Sequence, residues 1–280
     1  MSSEMTEDRL VQETTANYFR DELGWESVYA YDTEVFGEDG TLGRKSEREI
    51  YLVRYLRKAI EKFNPGLPET VYETAVKQII EVTVARSTLQ VNREKYEMFR
   101  NGVLVSFRDA NGEKKEPRLK IFDFANPANN HFLVVREMWV AQTPYRRRPD
   151  IIGFVNGIPL LFIELKNIHK DIRRAYEENL KDYKDTISHI FDSNAFILLS
   201  NGDGAKVGSI TSKYEHFNDW KRLAEEDKGV VDLETLLKGM CSKNNFMDIF
   251  ENFILFDESY GKTIKILARN HQYLGVNRAI

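Results

Sequence analysis

Residues 158–165, IPLLFIEL, constrain the fold of this chain more than any other segment. Apolar side chains occupy both alternating sets of positions, which predicts a β-strand in a sheet that is covered on both faces. Asn156-Gly157 separates this segment from another apolar run at residues 151–155. Asn-Gly between two apolar runs is the strongest short-range signal for a β-hairpin. The sequence therefore predicts a hairpin within a covered sheet.

Helical patterns dominate the first hundred residues. We expect Thr6 to cap a first helix that ends at Gly24, and the capping-box spacing of Ser46 and Glu49 predicts the start of a second. The apolar residues of that second helix follow at helical intervals as far as Phe63, and a third helix is predicted from about Pro68.

The pattern changes to strands from Val103 onward. Residues 103–107, 119–124, 132–140 and 196–200 are typical of strands, and an amphipathic helix is predicted over residues 172–190. The fold class we predict is α/β, with a mixed central β-sheet flanked by helices.

Composition limits the functional classes open to the chain. Of its 280 residues, 42% are apolar, and no stretch approaches the roughly 20 consecutive apolar residues that span a bilayer, so no membrane partner is expected. The polar, acidic N-terminus and the single cysteine, Cys241, indicate a cytoplasmic protein. The net charge of -4 means that any contact with nucleic acid must be focal.

A change to polar, helical sequence after about Trp220 predicts a domain boundary near residues 224–230. We expect one domain over residues 1–225, with a helical part over about 1–95 and the sheet core over about 100–210. Residues 226–280 would form a helical linker and the start of a further domain.

Three charged residues mark the ends of the predicted hairpin. Asp150 precedes its first strand, and Glu164 and Lys166 end its second. Charges near a covered sheet are costly to desolvate unless they are paired, hydrated or bound to a metal. Side chains two apart on a strand share a face, so Glu164 and Lys166 should be neighbours. Their clustering indicates a functional site.

Hairpin register decides whether Asp150 joins the other two. A two-residue loop at Asn156-Gly157 would set Asp150 opposite Ile163, on the wrong face, unless another bulge restored the parity. A three-residue loop with a bulge at Gly157 sets Asp150 opposite Phe162, diagonal to Glu164. We predict the three-residue loop.

In that register both carboxylates can reach one cation. Hard carboxylate oxygens without histidine or thiolate favour Mg²⁺, which also accepts phosphate oxygens. Lys166 could hold or polarise an attacking water and steady charge that develops on a phosphate. This combination suits hydrolysis of a phosphodiester.

The run Pro149-Asp150, thirteen residues, Glu164-x-Lys166 resembles the PD-(D/E)xK nuclease signature. Its context, RRPDIIGFVNGIPLLFIELKN, is similar to the nuclease core of the restriction subunit of type I restriction enzymes. Further segments resemble that family in the same order, among them Leu23-Gly24-Trp25, Asn64-Pro65 and Asn201-Gly202. Near the end, residues 265–272 resemble the family's transition into its helicase-like motor.

The resemblance implies a restriction-endonuclease-like core with catalytic Asp150, Glu164 and Lys166. The metal ligands would be Asp150, Glu164 and the carbonyl of Leu165. The family's Gln-x-x-x-Tyr motif falls on Asn179 and Tyr183, where asparagine is one methylene shorter than glutamine.

Three arginines precede the catalytic aspartate. Arg146, Arg147 and Arg148 are candidates for phosphate contacts, although a solvated loop is an equally good interpretation of them.

The resemblance also implies a function. We expect a Mg²⁺-dependent endonuclease domain that hydrolyses double-stranded DNA after ATP-driven translocation by motor domains that lie outside this sequence. The methyltransferase and specificity subunits would be its partners in a prokaryotic cytoplasm, and ATP would bind only to the full-length subunit. The alternative is a non-catalytic docking or DNA-clamping domain of the same translocase, which the shorter Asn179 favours.

Overall fold

The computed structural model describes residues 2–81 and 86–280. Its helices are distributed around a central sheet and include a π-helical segment, Ala175–Leu180, that leads directly into the α-helix Lys181–Thr186. The α-helices are α1 (Ser2–Asp21), α2 (Val53–Phe63), α3 (Glu69–Ile80), α4 (Thr88–Asn101), α5 (Lys181–Thr186), α6 (Leu233–Cys241), α7 (Lys243–Asn252) and α8 (Asn270–Ala279).

Most strands are short, and the longest lies at the centre of the sheet. The strands are β1 (Glu26–Tyr29), β2 (Val103–Leu104), β3 (Phe107–Arg108), β4 (Lys114–Lys115), β5 (Arg118–Leu119), β6 (Phe132–Arg136), β7 (Val140–Gln142), β8 (Tyr145–Arg147), β9 (Ile151–Val155), β10 (Ile158–Leu165), β11 (Phe196–Ser200), β12 (Ala205–Gly208), β13 (Ile254–Asp257) and β14 (Ile264–Leu267).

The central sheet has six strands in the order β1-β6-β9-β10-β11-β12. Strands β1 and β6 are parallel, as are β10 and β11, whereas the pairs β6–β9, β9–β10 and β11–β12 are antiparallel. The prediction of an α/β fold with a mixed central sheet flanked by helices is therefore confirmed.

Helices cover both faces of the sheet, as the sequence of β10 predicts. On one face Phe162 packs against Tyr183 and Phe191, with ring centroids 5.7 and 5.0 Å away. On the other, Phe246 of α7 packs against Phe196 and Trp25 at 5.1 and 5.5 Å. All eight residues of β10 are consequently buried.

The predicted helix starts need two corrections. Helix α1 begins at Ser2, so Thr6 lies inside it, although its end before Gly24 (φ +67°) agrees with the prediction. Residues Ser46 to Glu49 form a turn, and α2 begins at Val53 with no side-chain cap. The carboxylate of Glu49 accepts from the backbone of Lys45, which places this capping residue before the helix. The third helix starts at Glu69 as predicted.

The strands predicted between residues 103 and 140 are shorter than expected. The run 103–107 divides into β2 and β3, the run 119–124 contributes only the end of β5, and β6 ends where Glu137 adopts a positive φ of 51°. Small two-stranded ribbons, β2–β5 and β3–β4, take the place of long strands.

The hairpin register differs from the predicted three-residue loop. Ile158 pairs with Val155, so the loop has two residues, Asn156 and Gly157, both with positive φ (51° and 78°). The register then shifts between Pro159 and Leu161. Pro159 has no N–H to donate to the ladder, and proline within a sheet is found at edges or bulges. This second irregularity restores the parity that a two-residue loop alone would lose.

The C-terminal part packs on the same core as the rest. The indole Nε1 of Trp25 donates to the carbonyl of Cys241 at 2.9 Å. The buried Lys265 of β14 donates to Oδ1 of Asn92 at 2.9 Å. The division into residues 1–225 and 226–280 stays a prediction. No helix in the described part of the chain is long and apolar enough to cross a membrane.

Candidate active site

The bulge in β10 brings the two predicted carboxylates together. Ile163 pairs with Ile151, and continuing this register by one residue places Asp150 opposite Glu164. They are therefore direct cross-strand neighbours, which corrects the diagonal arrangement predicted from the sequence. Directly opposite residues have Cβ atoms about 4.5–5.5 Å apart, close enough for both carboxylates to reach one small ligand.

Two N–H donors hold the Asp150 carboxylate. Nε2 of Gln12, on α1, donates to Oδ1 at 2.6 Å. The backbone N–H of Leu165 donates to Oδ2 at 2.7 Å. Because each oxygen accepts a separate hydrogen bond, the orientation of the carboxylate is fixed.

Glu164 is a buried carboxylate with the charged groups of Asp150 and Lys166 nearby. Its exposed fraction is 1%. Burial first, and the neighbouring Asp150 carboxylate second, raise the pKa of Glu164 well above that of an ordinary glutamate, and Lys166 offsets part of this rise. Its Oε2 atom finds no hydrogen-bond partner among the residues the structure describes. Buried polar atoms in proteins are almost always satisfied, by protein groups, ordered water or ions, so this oxygen is available to a ligand.

Lys166 follows the last residue of β10 and is close enough to Glu164 to lower the pKa of that carboxyl group. Its Nζ donates to Oδ1 of Asn179, and Nδ2 of Asn179 lies 3.4 Å from the hydroxyl of Tyr183. The carboxylate of Glu178 is 3.8 Å from the same ammonium. Lys166, Asn179 and Tyr183 thus form one chain of polar contacts.

Asn179 lies in the π-helical segment Ala175–Leu180. π-Helical turns are rare and occur frequently at functional sites. The sequence predicts an α-helix here, since no residue pattern distinguishes a π-helical turn from an α-helical one. In this conformation the shorter asparagine side chain reaches Lys166.

Tyr183 joins the site to the core. It is buried and packs edge-to-face on Phe162. Burial first, and then the nearby Glu164 and Asp150 carboxylates, raise the pKa of the Tyr183 hydroxyl. The hydroxyl therefore stays protonated and can act as a hydrogen-bond donor.

The donor set fits a hard cation with an incomplete protein shell. Within residues 2–81 and 86–280, no group of three or more His, Cys, Asp or Glu side chains is arranged to hold a metal ion. Two adjacent carboxylates, one with an unpartnered buried oxygen, nevertheless match Mg²⁺, which keeps several waters and takes few protein ligands. A carbonyl such as that of Leu165 would add a third oxygen.

The three candidate DNA-binding arginines each have an acidic partner within the chain. Arg146 forms a two-point contact with Glu47, at 2.7 Å for both bonds. Arg147 is paired with Asp182. Arg148 lies 3.3 Å from Glu137 and stacks on Tyr31. A phosphate would have to replace these carboxylates.

Gln12 was not predicted, because nothing in the pattern of α1 distinguishes it from other polar residues. The bulge in β10 was not located in the sequence, although Pro159 in a buried strand was a usable signal.

Comparison with known proteins gives the context of this geometry. Residues 4–216 match the model of the type I restriction enzyme R protein N terminus. The chain belongs to this family. The chain is 35% identical, over 92% of its length, to the type I restriction enzyme HindI endonuclease subunit of Haemophilus influenzae. The putative MjaIXP endonuclease subunit of Methanocaldococcus jannaschii is 29% identical over the whole chain.

The chain spans about a quarter of the length of these two relatives: 25% of the Haemophilus subunit and 28% of the Methanocaldococcus subunit. The EcoprrI endonuclease subunit of Escherichia coli matches half of the chain at 26% identity. Membership of this R protein family confirms the resemblance seen in the sequence.

Proposed function

We propose that this chain is the Mg²⁺-dependent endonuclease domain of a type I restriction enzyme and hydrolyses phosphodiesters of double-stranded DNA. The observation that carries the proposal is the cross-strand pair of Asp150 and Glu164, with Lys166 beside them. Two carboxylates that share a buried site repel each other and are costly to desolvate, and a divalent cation would lower that cost beyond what Lys166 offsets. The names of the relatives, all endonuclease subunits, support the same role.

Asp150, Glu164 and the Leu165 carbonyl would hold the ion. When bound, Mg²⁺ would supply Lewis-acid polarisation of a phosphate oxygen. Asp150 is already fixed by its two N–H donors, and Glu164 offers the unpartnered Oε2. Because these oxygens are already in place, the side chains would need little reorientation when the ion binds and the reaction begins.

Lys166 would orient the attacking water and stabilise negative charge on the phosphate. Its ammonium is held by Asn179, whose amide is in turn close to Tyr183. These contacts restrict a flexible four-carbon side chain to one position. A positioned cation of this kind acts on developing charge more strongly than a mobile one.

The wider setting is also a proposal. Motor domains outside this sequence would hydrolyse ATP and draw duplex DNA towards the site, while methyltransferase and specificity subunits would recognise the sequence. The intramolecular partners of Arg146, Arg147 and Arg148 indicate that DNA would compete with Glu47, Asp182 and Glu137 for these arginines.

A non-catalytic docking or DNA-clamping domain is the second candidate. The observation that favours it is the asparagine at position 179, together with the neutralised arginines next to Asp150. In this alternative the chain would contact DNA or the motor without cutting.

Substitution of Lys166 by alanine in the complete complex distinguishes the two candidates. If Lys166 is catalytic, we expect this variant to lose DNA cleavage while its ATP-driven translocation stays unchanged. Lys181→Ala is the matched control, since Lys181 is exposed on the following helix and pairs with Glu177. Full cleavage by Lys166→Ala would reject the catalytic role and leave the clamping domain.

A further inference from the structure

Gln12 contacts the site from a helix that the catalytic motif does not include. We propose that Gln12 is a positioning residue that fixes the Asp150 carboxylate for cation binding, an inference that rests on the proposed function. Helix α1 lies more than a hundred residues before Asp150 in the sequence, yet its Gln12 amide is 2.6 Å from Oδ1 of Asp150.

The geometry restricts Asp150 from two directions. The Leu165 N–H holds Oδ2 from within the hairpin, whereas Gln12 holds Oδ1 from α1. One donor restricts rotation of the carboxylate about its Cβ–Cγ bond less than two donors do. Two donors on different elements fix that rotation and therefore the direction of the lone pairs that remain for a cation.

The chemical type of residue 12 suits this task. A glutamine amide donates an N–H without adding charge beside two carboxylates. A lysine or arginine here would neutralise Asp150 and compete with a bound cation, and an apolar side chain would leave Oδ1 without this donor. Gln12 is itself buried, with an exposed fraction of 7%, so its amide cannot exchange freely with water.

Helix α1 is anchored firmly enough to serve as a support. Phe19 is fully buried and packs edge-to-face on Trp25, with ring centroids 5.0 Å apart. Thr15 and Ala16 are also buried, on the turn that follows Gln12. The contact from α1 thus complements the chain of Lys166, Asn179 and Tyr183, which reaches the site from the helix on the other face.

The test measures Mn²⁺ binding to the 280-residue chain by isothermal titration calorimetry, with Mn²⁺ as a probe for Mg²⁺. Gln12→Leu removes the donor and keeps the volume close, and Gln12→Met provides a second apolar replacement. Thr15→Val is the matched control because Thr15 is buried on the same helix and its hydroxyl contacts only the Val11 carbonyl among the hydrogen bonds of the described chain. Glu164→Gln removes a proposed ligand and tests the metal site itself.

We expect Gln12→Leu and Gln12→Met to weaken Mn²⁺ binding by about 10-fold to 100-fold, the range seen when a partner of a metal ligand is removed. Thr15→Val should bind Mn²⁺ like the parent even if it unfolds at a lower temperature. Equal affinities for both Gln12 variants and the Thr15 variant would overturn the positioning role. If Glu164→Gln also bound Mn²⁺ as tightly as the parent, the metal site of the proposed function would fail as well.

Discussion

The ammonium of Lys166 donates a hydrogen bond to the side-chain carbonyl of Asn179, across the gap between β10 and the π-helical segment. Asparagine makes this contact at the position where the resemblance places the longer glutamine of the nuclease motif. Asn179 lies in the π-helical segment Ala175–Leu180.

Restoring the longer side chain should harm the site. Asn179→Gln would place its amide about one methylene too far and push Lys166 out of position. Since a misplacement of about 1 Å can cost roughly 100-fold in rate, we expect DNA cleavage by the complete complex to fall by about 10-fold to 100-fold. Glu177→Gln, on the exposed side of the same segment, is the control. Faster cleavage by Asn179→Gln would refute this account of the asparagine.

The hairpin turn should tolerate no side chain at Gly157. This residue has a φ of 78°, and a Cβ there would lie 2.4 Å from the Leu52 carbonyl. Gly112 has a similar φ of 80° with open space around it. We expect Gly112→Ala to cost about 1 kcal/mol of unfolding free energy through backbone strain. Gly157→Ala should cost about 2 kcal/mol more because of the clash. Urea titration checks both, and equal losses would contradict the predicted contact.

Neutralising Glu164 should stabilise the metal-free protein. Its carboxylate is buried beside that of Asp150, and both burial and repulsion disfavour its charge. Each unit of pKa shift corresponds to about 1.4 kcal/mol between protonation states, so the effect on stability should be measurable. We expect Glu164→Gln to unfold at a higher temperature than the parent in buffer with EDTA at pH 8. Glu13→Gln, on the exposed side of α1, should leave the unfolding temperature unchanged.

Addition of Mn²⁺ should reverse this order. The parent would gain stability by binding the ion, whereas Glu164→Gln would gain little. A destabilised Glu164→Gln variant in EDTA would mean that the carboxylate has a stabilising partner, and would count against the shared cation site.

Lys265 should make stability depend on pH. Complete burial lowers the pKa of Lys265 to about 7, far below that of an unfolded lysine. Between pH 7 and 10 the unfolded chain binds a proton at this residue that the folded chain does not, so this contribution to the free energy of unfolding rises with pH. The slope from one such group is at most about 1.4 kcal/mol per pH unit.

Lys265→Met should therefore flatten the rise in unfolding free energy between pH 7 and 9.5, measured by urea titration. The loss of the bond to Asn92 lowers the stability at every pH but does not alter the slope. The exposed Lys262→Met serves as the comparison. Parallel pH profiles for the parent and Lys265→Met would show that Lys265 is charged in the folded protein.

Much of the fold follows from local sequence signals. The apolar pattern of β10 predicts a strand covered on both faces, and Asn156-Gly157 predicts the hairpin, because both depend on neighbouring residues alone. The parity of Asp150 and Glu164 depends on the total number of bulges along the ladder. The bulge was predicted at Gly157 but lies between Pro159 and Leu161. Asp150 and Glu164 therefore still share a face, but they are directly opposite each other and not diagonal.

The parts of the site that escaped prediction depend on tertiary structure. Gln12 is far from Asp150 in the sequence, and only the packing of α1 brings them together. The acidic partners of the arginines come from separate segments for the same reason. The resemblance to a known nuclease motif, in contrast, identified Asn179 and Tyr183 as partners, and they are in contact.

Crystals of the chain soaked with Mn²⁺ and measured at the manganese absorption edge provide the most direct test of the central claim. We expect an anomalous peak from one Mn²⁺ ion that is coordinated by a carboxylate oxygen from each of Asp150 and Glu164, with the Leu165 carbonyl as a further ligand. The peak should vanish in Glu164→Gln crystals treated in the same way. Saturating Mn²⁺ with no peak between these two carboxylates would contradict the account.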